Sequence, residues 1–187
     1  MRDGSATRKR IHDAALRLFV ERGVTETSVR DLAAAAGIAE GTLYRHYASK
    51  DDLVADLFVT NYTEFAGRLV ALRALSGFRA RLDAAVAEVF RFHDDNPTLF
   101  RFLLLVQHQA LSRAAGGDAN PVTVLQGMVD EAVAAAEIAL TDAALGTAMI
   151  LGLLLQPATA VVYGRLAGPL SPHAPAIAAA CWRALNP

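Results

Sequence analysis

The chain is predicted to be all-α, with a small N-terminal unit at residues 1–50 and a larger helical domain at 51–187, about nine helices in all. Three observations predict this. Apolar residues recur at helical spacing along most of the chain, and no stretch alternates as a strand would. Gly, Pro, Asn and Asp cluster at the breaks between apolar runs. Finally, 187 residues with 53% hydrophobic and 20% charged content can bury substantial cores.

The first helix lies in RKRIHDAALRLFVERG, where Ile11, Ala15, Leu18 and Phe19 fall at i, i+4, i+7 and i+8, one buried helical face. Gly23 closes it at a C′ position. The next run, TSVRDLAAAAGIAEGTLYRHYASK (27–50), reads as two short helices joined by a sharp turn. Thr27 or Ser28 caps the first of them by accepting from an orphan amide, and Val29, Leu32 and Ala33 form its inner stripe. Gly37 supplies the left-handed residue the turn needs, and Ala33, one turn earlier, is small enough for close approach. Ile38 and Leu43 anchor the second helix inward. Glu40, Gly41, Thr42, Tyr44, Arg45 and His46 are left facing outward or at its flank. A short helix with that outer chemistry has the size of a major-groove reader. The run is therefore a helix-turn-helix, and double-stranded DNA is its expected partner. Ser49 and Asp52 give a capping-box-like start to a fourth helix through Leu53, Leu57 and Phe58.

Beyond it, segments 77–93, 98–115, 122–138, 142–164 and 174–185 are long, Ala-rich and apolar on at least one face, which predicts five more helices. Breaks at 94–97, 116–121 and 168–172 carry Asp, Asn, Gly and Pro. The uncharged run 143–164 has the length of a membrane span. Gln156, Pro157 and two threonines interrupt it, and its flanks lack a positive-inside bias, so the expectation is burial in a homodimer and no membrane partner. In that reading it packs with the last helix and their copies as a four-helix bundle. Gly146, Met149, Gly152, Leu153, Ala160 and Gly164 would lie at the interface, with Ile177, Cys181 and Trp182 from the last helix. A dimer also doubles the readout: two reading helices ~34–36 Å apart demand a palindromic site.

Charge follows the same division. Residues 1–50 carry a net +3 and residues 51–187 a net −4, so DNA contact is expected at one end only. Arg8, Lys9 and Arg10 stand either near phosphates or as a solvated helix start. One cysteine excludes an internal disulfide and suits a reducing compartment, and the N-terminus has no apolar signal region, so a cytoplasmic location is expected. Enzyme signatures are missing: no Gly-x-Ser-x-Gly elbow, no His-x-x-x-His or paired-Cys metal spacing, and no lysine after Gly116-Gly117. No metal and no cofactor are expected.

The segment from about Arg8 to Phe58 resembles the DNA-binding domain of the tetracycline-repressor (TetR) family of transcriptional regulators. The matching residues are Ala14-Ala15-x-x-Leu18-Phe19-x-x-x-Gly23, Thr27-Ser28-Val29, Leu32-Ala33-x-x-x-Gly37, Gly41-Thr42-Leu43-Tyr44-x-His46-Tyr47 and Ser49-Lys50-x-x-Leu53. The resemblance implies that Thr42, Tyr44 and His46 contact the duplex, that Lys50 pairs with a phosphate, and that Thr27 or Ser28 donates to phosphate. Arg8, Glu40, Gly41, Arg45 and Tyr47 complete the expected DNA-facing set. Two positions depart from the family pattern. Ala39 removes a helix cap, and Glu40 puts a carboxylate where it either accepts from a cytosine amino group or only favours the helix start electrostatically. The resemblance further implies an effector pocket among helices five to eight. Candidates for its lining are Tyr62, Phe65, Phe90, Phe100, Leu103, Met128 and Thr159, with Gln107, His108 and Gln156 as polar handles. A mostly apolar lining would suit a small hydrophobic molecule, and the expected function is a repressor released from its operator by that effector. The alternative is an all-helical protein-interaction module whose helix-turn-helix does not function.

Overall fold

The computed structural model describes residues 2–111 and 120–187, and its side chains from residue 4 to Gln107 and from Asn120 onward. Among the described residues there are nine α-helices and no strand. They are α1 (Arg2–Arg22), α2 (Val29–Ala36), α3 (Glu40–His46), α4 (Lys50–Ala71), α5 (Phe78–Asp95), α6 (Pro97–Leu111), α7 (Pro121–Ala134), α8 (Ala143–Val162) and α9 (Ala174–Leu185). The helical reading of the sequence holds throughout, while the expected end of the sixth helix at Ala115 lies outside the described residues.

The helices group into two compact units, and the division falls inside α4, after Asn61, rather than at residue 50. The first unit holds α1, α2, α3, the start of α4 and, unexpectedly from sequence, the segment 98–111 of α6. Its core is Ile11, Ala15, Leu18, Phe19, Leu32, Leu43, Leu53, Leu57 and Phe58, all buried, and Phe102 of α6 stacks on Phe19 with centroids 6.2 Å apart. Local chemistry sets each boundary. Gly23, at φ 86°, ends α1, and its amide donates to the Phe19 carbonyl at 3.0 Å. Ser28 rather than Thr27 caps α2: its hydroxyl accepts from the Asp31 amide at 3.1 Å while Asp31 accepts from the Ser28 amide, a reciprocal capping box. Gly37 sits at φ 65°, ψ 41°, and the Ile38 amide reaches back to the Ala33 carbonyl at 3.0 Å, which closes the turn. Ser49 accepts from the Asp52 amide at 3.1 Å and starts α4.

The second unit holds the rest of α4 with α5, α7, α8 and α9. Phe78, Leu82, Val86, Phe90, Met128, Val129, Ile150, Leu154, Ala158, Cys181 and Leu185 form its core. Asn120 caps α7 through the Thr123 amide at 2.8 Å with Pro121 behind it, and Asp142 caps α8 through the Leu145 amide at 3.0 Å. Asp94, at the end of α5, accepts from the Leu170 and Ser171 amides at 2.8 and 2.7 Å, tying the chain just ahead of α9 to α5. Burial would raise the Asp94 carboxyl, but its hydrogen bonds from Ser171, Leu170 and His93 outweigh that and hold it well below the usual carboxylate range.

Candidate DNA-binding face

The helix-turn-helix forms as its spacing predicts. Within α3 only Leu43 is buried, at 0% exposure, which turns the rest of this seven-residue helix outward. Glu40, Gly41, Tyr44 and Arg45 are exposed, and Thr42 and His46 are half-buried at the flank. Tyr44 is 52% exposed, a large ring left in water. Arg45 donates to the Thr42 hydroxyl at 3.0 Å, so the two side chains stand together on the outer surface. Space above Gly41 is open, with no atom within 4 Å of where a Cβ would stand. Ala39 occupies the N-cap position without any side-chain bond, as expected, and Glu40 supplies the only acidic group of the first turn. The face therefore combines an aromatic ring, a guanidinium, an imidazole, a hydroxyl and a carboxylate, the donor, acceptor and apolar groups that distinguish base edges.

Five expected DNA contacts are placed differently. Thr27 is fully buried and donates its hydroxyl to the Gly23 carbonyl at 2.8 Å, so it braces the entry to α2. Ser28 is exposed, but its hydroxyl is engaged with Asp31 at 2.6 Å. Lys50 donates from Nζ to the carbonyls of Val24, Thr27 and Thr25 at 2.7, 2.9 and 3.2 Å. Its ammonium thus clamps the α1–α2 connection instead of standing free for a phosphate. Tyr47 is 7% exposed, because its ring fills the core where α3 ends. Arg8 is bound to Asp56, which raises its already high pKa further.

These last two belong to a polar cluster that sequence reading missed. The Tyr47 hydroxyl donates to Asp56 Oδ2 at 2.7 Å and accepts from Arg8 Nε at 3.2 Å, while His12 Nε2 lies 2.8 Å from that hydroxyl and 2.9 Å from Oδ2. Burial would raise the Asp56 carboxyl, but the hydrogen bonds from Arg8, Tyr47 and His12 prevail and hold it at about 2. Burial and the bond to Asp56 push the Tyr47 phenol up to about 12. The available signal was Arg8 and His12 one helical turn apart, two polar groups on the edge of an otherwise apolar stripe.

The ten effector candidates divide between the units. Phe100, Leu103, Gln107 and His108 lie in the first; Tyr62, Phe65, Phe90, Met128, Gln156 and Thr159 lie in the second. Phe100 and Leu103 are buried and Gln107 half-buried, and the His108 side chain is outside the described residues. In the second unit Phe65, Phe90 and Met128 are buried, and Phe65 stacks on Phe92 with centroids 4.5 Å apart. Tyr62 is half-buried, and burial raises its phenol. Thr159 gives its hydroxyl to the Leu155 carbonyl at 2.8 Å, the usual fate of a threonine inside a helix. Gln156 is exposed and shares α8's outer surface with Gly152, one turn away, so it is no interior handle. Among the described residues no three His, Cys, Asp or Glu side chains are grouped as a metal ion would need.

The interface candidates divide as well. Gly146 faces inward: a Cβ there would meet Leu185 Cδ2 at 3.0 Å and Leu140 Cδ2 at 3.1 Å. Cys181 is fully buried, and burial pushes its thiol up to about 11. Both belong to the protomer's own core, because they lie on the sides of α8 and α9 that meet each other and α7. Gly152 and Gly164 are exposed, and Met149, Leu153, Ala160, Ile177 and Trp182 are half-buried. Arg79 already covers one face of the Trp182 ring, 5.1 Å from its centroid.

Comparison with known proteins agrees with the geometry. Residues 11–57 match the family described as bacterial regulatory proteins, tetR family. The HTH-type transcriptional repressor KstR2 of Rhodococcus jostii is 38% identical over 92 residues, 48% of this chain and 45% of that protein. The chain thus aligns with less than half the length of this curated relative. Among solved structures, the transcriptional regulator FadR from Bacillus subtilis, crystallised in complex with stearoyl-CoA, superposes with a TM-score of 0.80 at 21% identity, covering 93% of this chain and 97% of that one. A TetR family transcription regulator from Marinobacter aquaeolei gives 0.80 at 22% identity, covering 99% and 98%. At such identities these two likenesses establish the fold. Residues 11–57 are thus similar in sequence to the tetR family of bacterial regulatory proteins, and the whole chain shares the fold of the solved regulators.

Proposed function

We propose that this protein is a sequence-specific DNA-binding transcriptional regulator that acts as a homodimer on a palindromic operator, and that it represses until a small hydrophobic effector binds. One observation carries the reading: α3 turns a single residue, Leu43, into the core and leaves Tyr44 and Arg45 exposed, with Thr42 and His46 half-buried at its flank. Base edges in the major groove are read by such groups, and phosphates add affinity without sequence information. Two copies are needed because a two-turn helix makes few base contacts.

The uncovered side of α8 supports the dimer. Among the described residues α8 is the one helix long and apolar enough to cross a membrane, and only 28% of it is fully buried within the protomer. Leu145 is 49% exposed at one end, and Gly152 and Gln156 continue the exposed row. A second copy of α8 would cover that row as an isologous contact. A small apolar effector would relieve repression if it preferred the conformation with misplaced reading helices.

Selection of duplexes from a random pool tests the function. Recovery of a palindrome whose binding weakens steeply with salt is the expected result, since each neutralised phosphate adds about 0.9 to the slope of log K against log salt. Failure of the folded protein to prefer any duplex would favour an interaction module with an inactive helix-turn-helix.

A further inference from the structure

A seven-residue helix makes about two turns and spans roughly 10 Å. Leu43 is the one fully buried side chain of α3, with Thr42 and His46 half-buried at its flank, so its apolar hold centres on one residue, and such contact has no directional preference. A rod held that way can pivot. A second fixed point stands at its end. Tyr47 is the C-cap of α3, its amide donating to the Leu43 carbonyl at 2.9 Å. Its hydroxyl meets Asp56 Oδ2 from α4 at 2.7 Å and His12 Nε2 from α1 at 2.8 Å. Since an ionised carboxylate only accepts and His12 Nε2 lies 2.9 Å from it, that nitrogen carries the proton and donates. Arg8 completes the set with Nε 3.2 Å from the phenol oxygen and a terminal nitrogen on Asp56 Oδ1. One carboxylate thus joins α1, α4 and the exit of α3 through angle-dependent bonds.

We propose that Asp56 is a positioning residue for base reading: by holding the Tyr47 hydroxyl it fixes the direction in which α3 leaves the core, and hence where Thr42, Tyr44 and Arg45 point. A phenylalanine at 47 would fill the same space, so the hydroxyl contributes direction, not volume. A carboxylate on a DNA-facing unit otherwise repels phosphate, and here Arg8 compensates its charge. This inference rests on the DNA-reading function above and adds the residue that orients the reading helix without touching the duplex.

The test compares full-length Tyr47→Phe, Asp56→Ala and the double variant with the parent protein. Amide hydrogen exchange is followed without DNA, and affinity is measured for the selected palindrome and for a scrambled duplex of equal length over a salt series. The expected result is faster exchange at 40–46 in each variant, with the interior of α1 unchanged. The ratio of specific to scrambled affinity should fall about tenfold, the scale of one lost hydrogen bond to a charged group. Tyr47→Phe alters no charge, so it should keep the parent's scrambled-duplex affinity and salt slope. The double variant should lose no more than the larger single loss, because the two residues act as one device. Unchanged ratios in both single variants overturn the proposal. So does equal weakening on both duplexes in step with lowered stability, which would mark a merely structural role. If the parent protein prefers no duplex while exchange at 40–46 still rises, the DNA-reading function fails, and with it the role in reading, while the tether itself stands.

Discussion

Replacing Lys50 by methionine keeps the aliphatic stem and removes the ammonium that bridges three carbonyls. The bonds to Val24 at 2.7 Å and Thr27 at 2.9 Å are partly buried, whereas the one to Thr25 at 3.2 Å is exposed and water replaces it readily. A hydrogen bond to a charged group contributes about 1.5–3 kcal/mol. Counting two in full would give about 3–6 kcal/mol, but Lys50 is half-exposed and its carbonyls lie near solvent, so about 2 kcal/mol is the expected loss. For a chain of this size that corresponds to a fall in Tm of roughly 4–8 °C. The assay pairs thermal unfolding followed by circular dichroism with operator binding over a salt series. Since the ammonium already serves three carbonyls, the salt slope should stay at the parent value while the melting temperature drops. An unchanged melt together with a slope reduced by about 0.9 would refute this reasoning and make Lys50 a phosphate contact, as family resemblance implies.

Two further outcomes follow from the same geometry. Gly152→Leu has open space within the protomer, with no atom within 4 Å of the new Cβ, so it should leave secondary structure intact and shift the light-scattering mass of the proposed dimer toward monomer. Gly146→Val should instead destabilise the protomer by about 1–3 kcal/mol through overpacking against Leu185 and Leu140; a normal dimer mass for the first or a normal melt for the second would defeat the division of α8 into outer and inner sides. Asp56 gives a pH dependence whose sign is set by its lowered folded value of about 2 against 3.8 for the free group. Its contribution is fully present above about pH 5 and is lost as pH falls from 4 toward 2, on the order of 1–2 kcal/mol after discounting for a side chain 26% exposed. Urea unfolding at pH 5 and pH 3 should show a smaller acid loss in Asp56→Asn than in the parent, and parallel losses would rule out this assignment.

Periodicity and local chemistry made most of the fold legible in the sequence. Ile11, Ala15, Leu18 and Phe19 lie on the inner face of α1, Gly37 makes the left-handed turn, and Leu43 anchors α3, each because it depends on neighbours within a few residues. The outward set from Glu40 to His46 follows from that single anchor. Long-range partners have no such local signature. Arg8 and His12 of α1, Asp56 of α4 and Tyr47 at the exit of α3 come together over separations of 35 to 48 residues from the α1 members, so nothing in the spacing announces that an expected DNA-contact tyrosine closes an interior network. Lys50 reads as a free cation until the loop at 24–27 folds back beneath it. The same holds for Gly146, Gln156 and Cys181, because a helix that is apolar on all sides does not reveal which side its own chain covers. Helical period and capping chemistry are properties of contiguous residues, and these determined the all-α fold and the outward face of α3. Which polar groups satisfy one another, and which faces remain open, depends on packing between distant segments, and only the tertiary structure decided that.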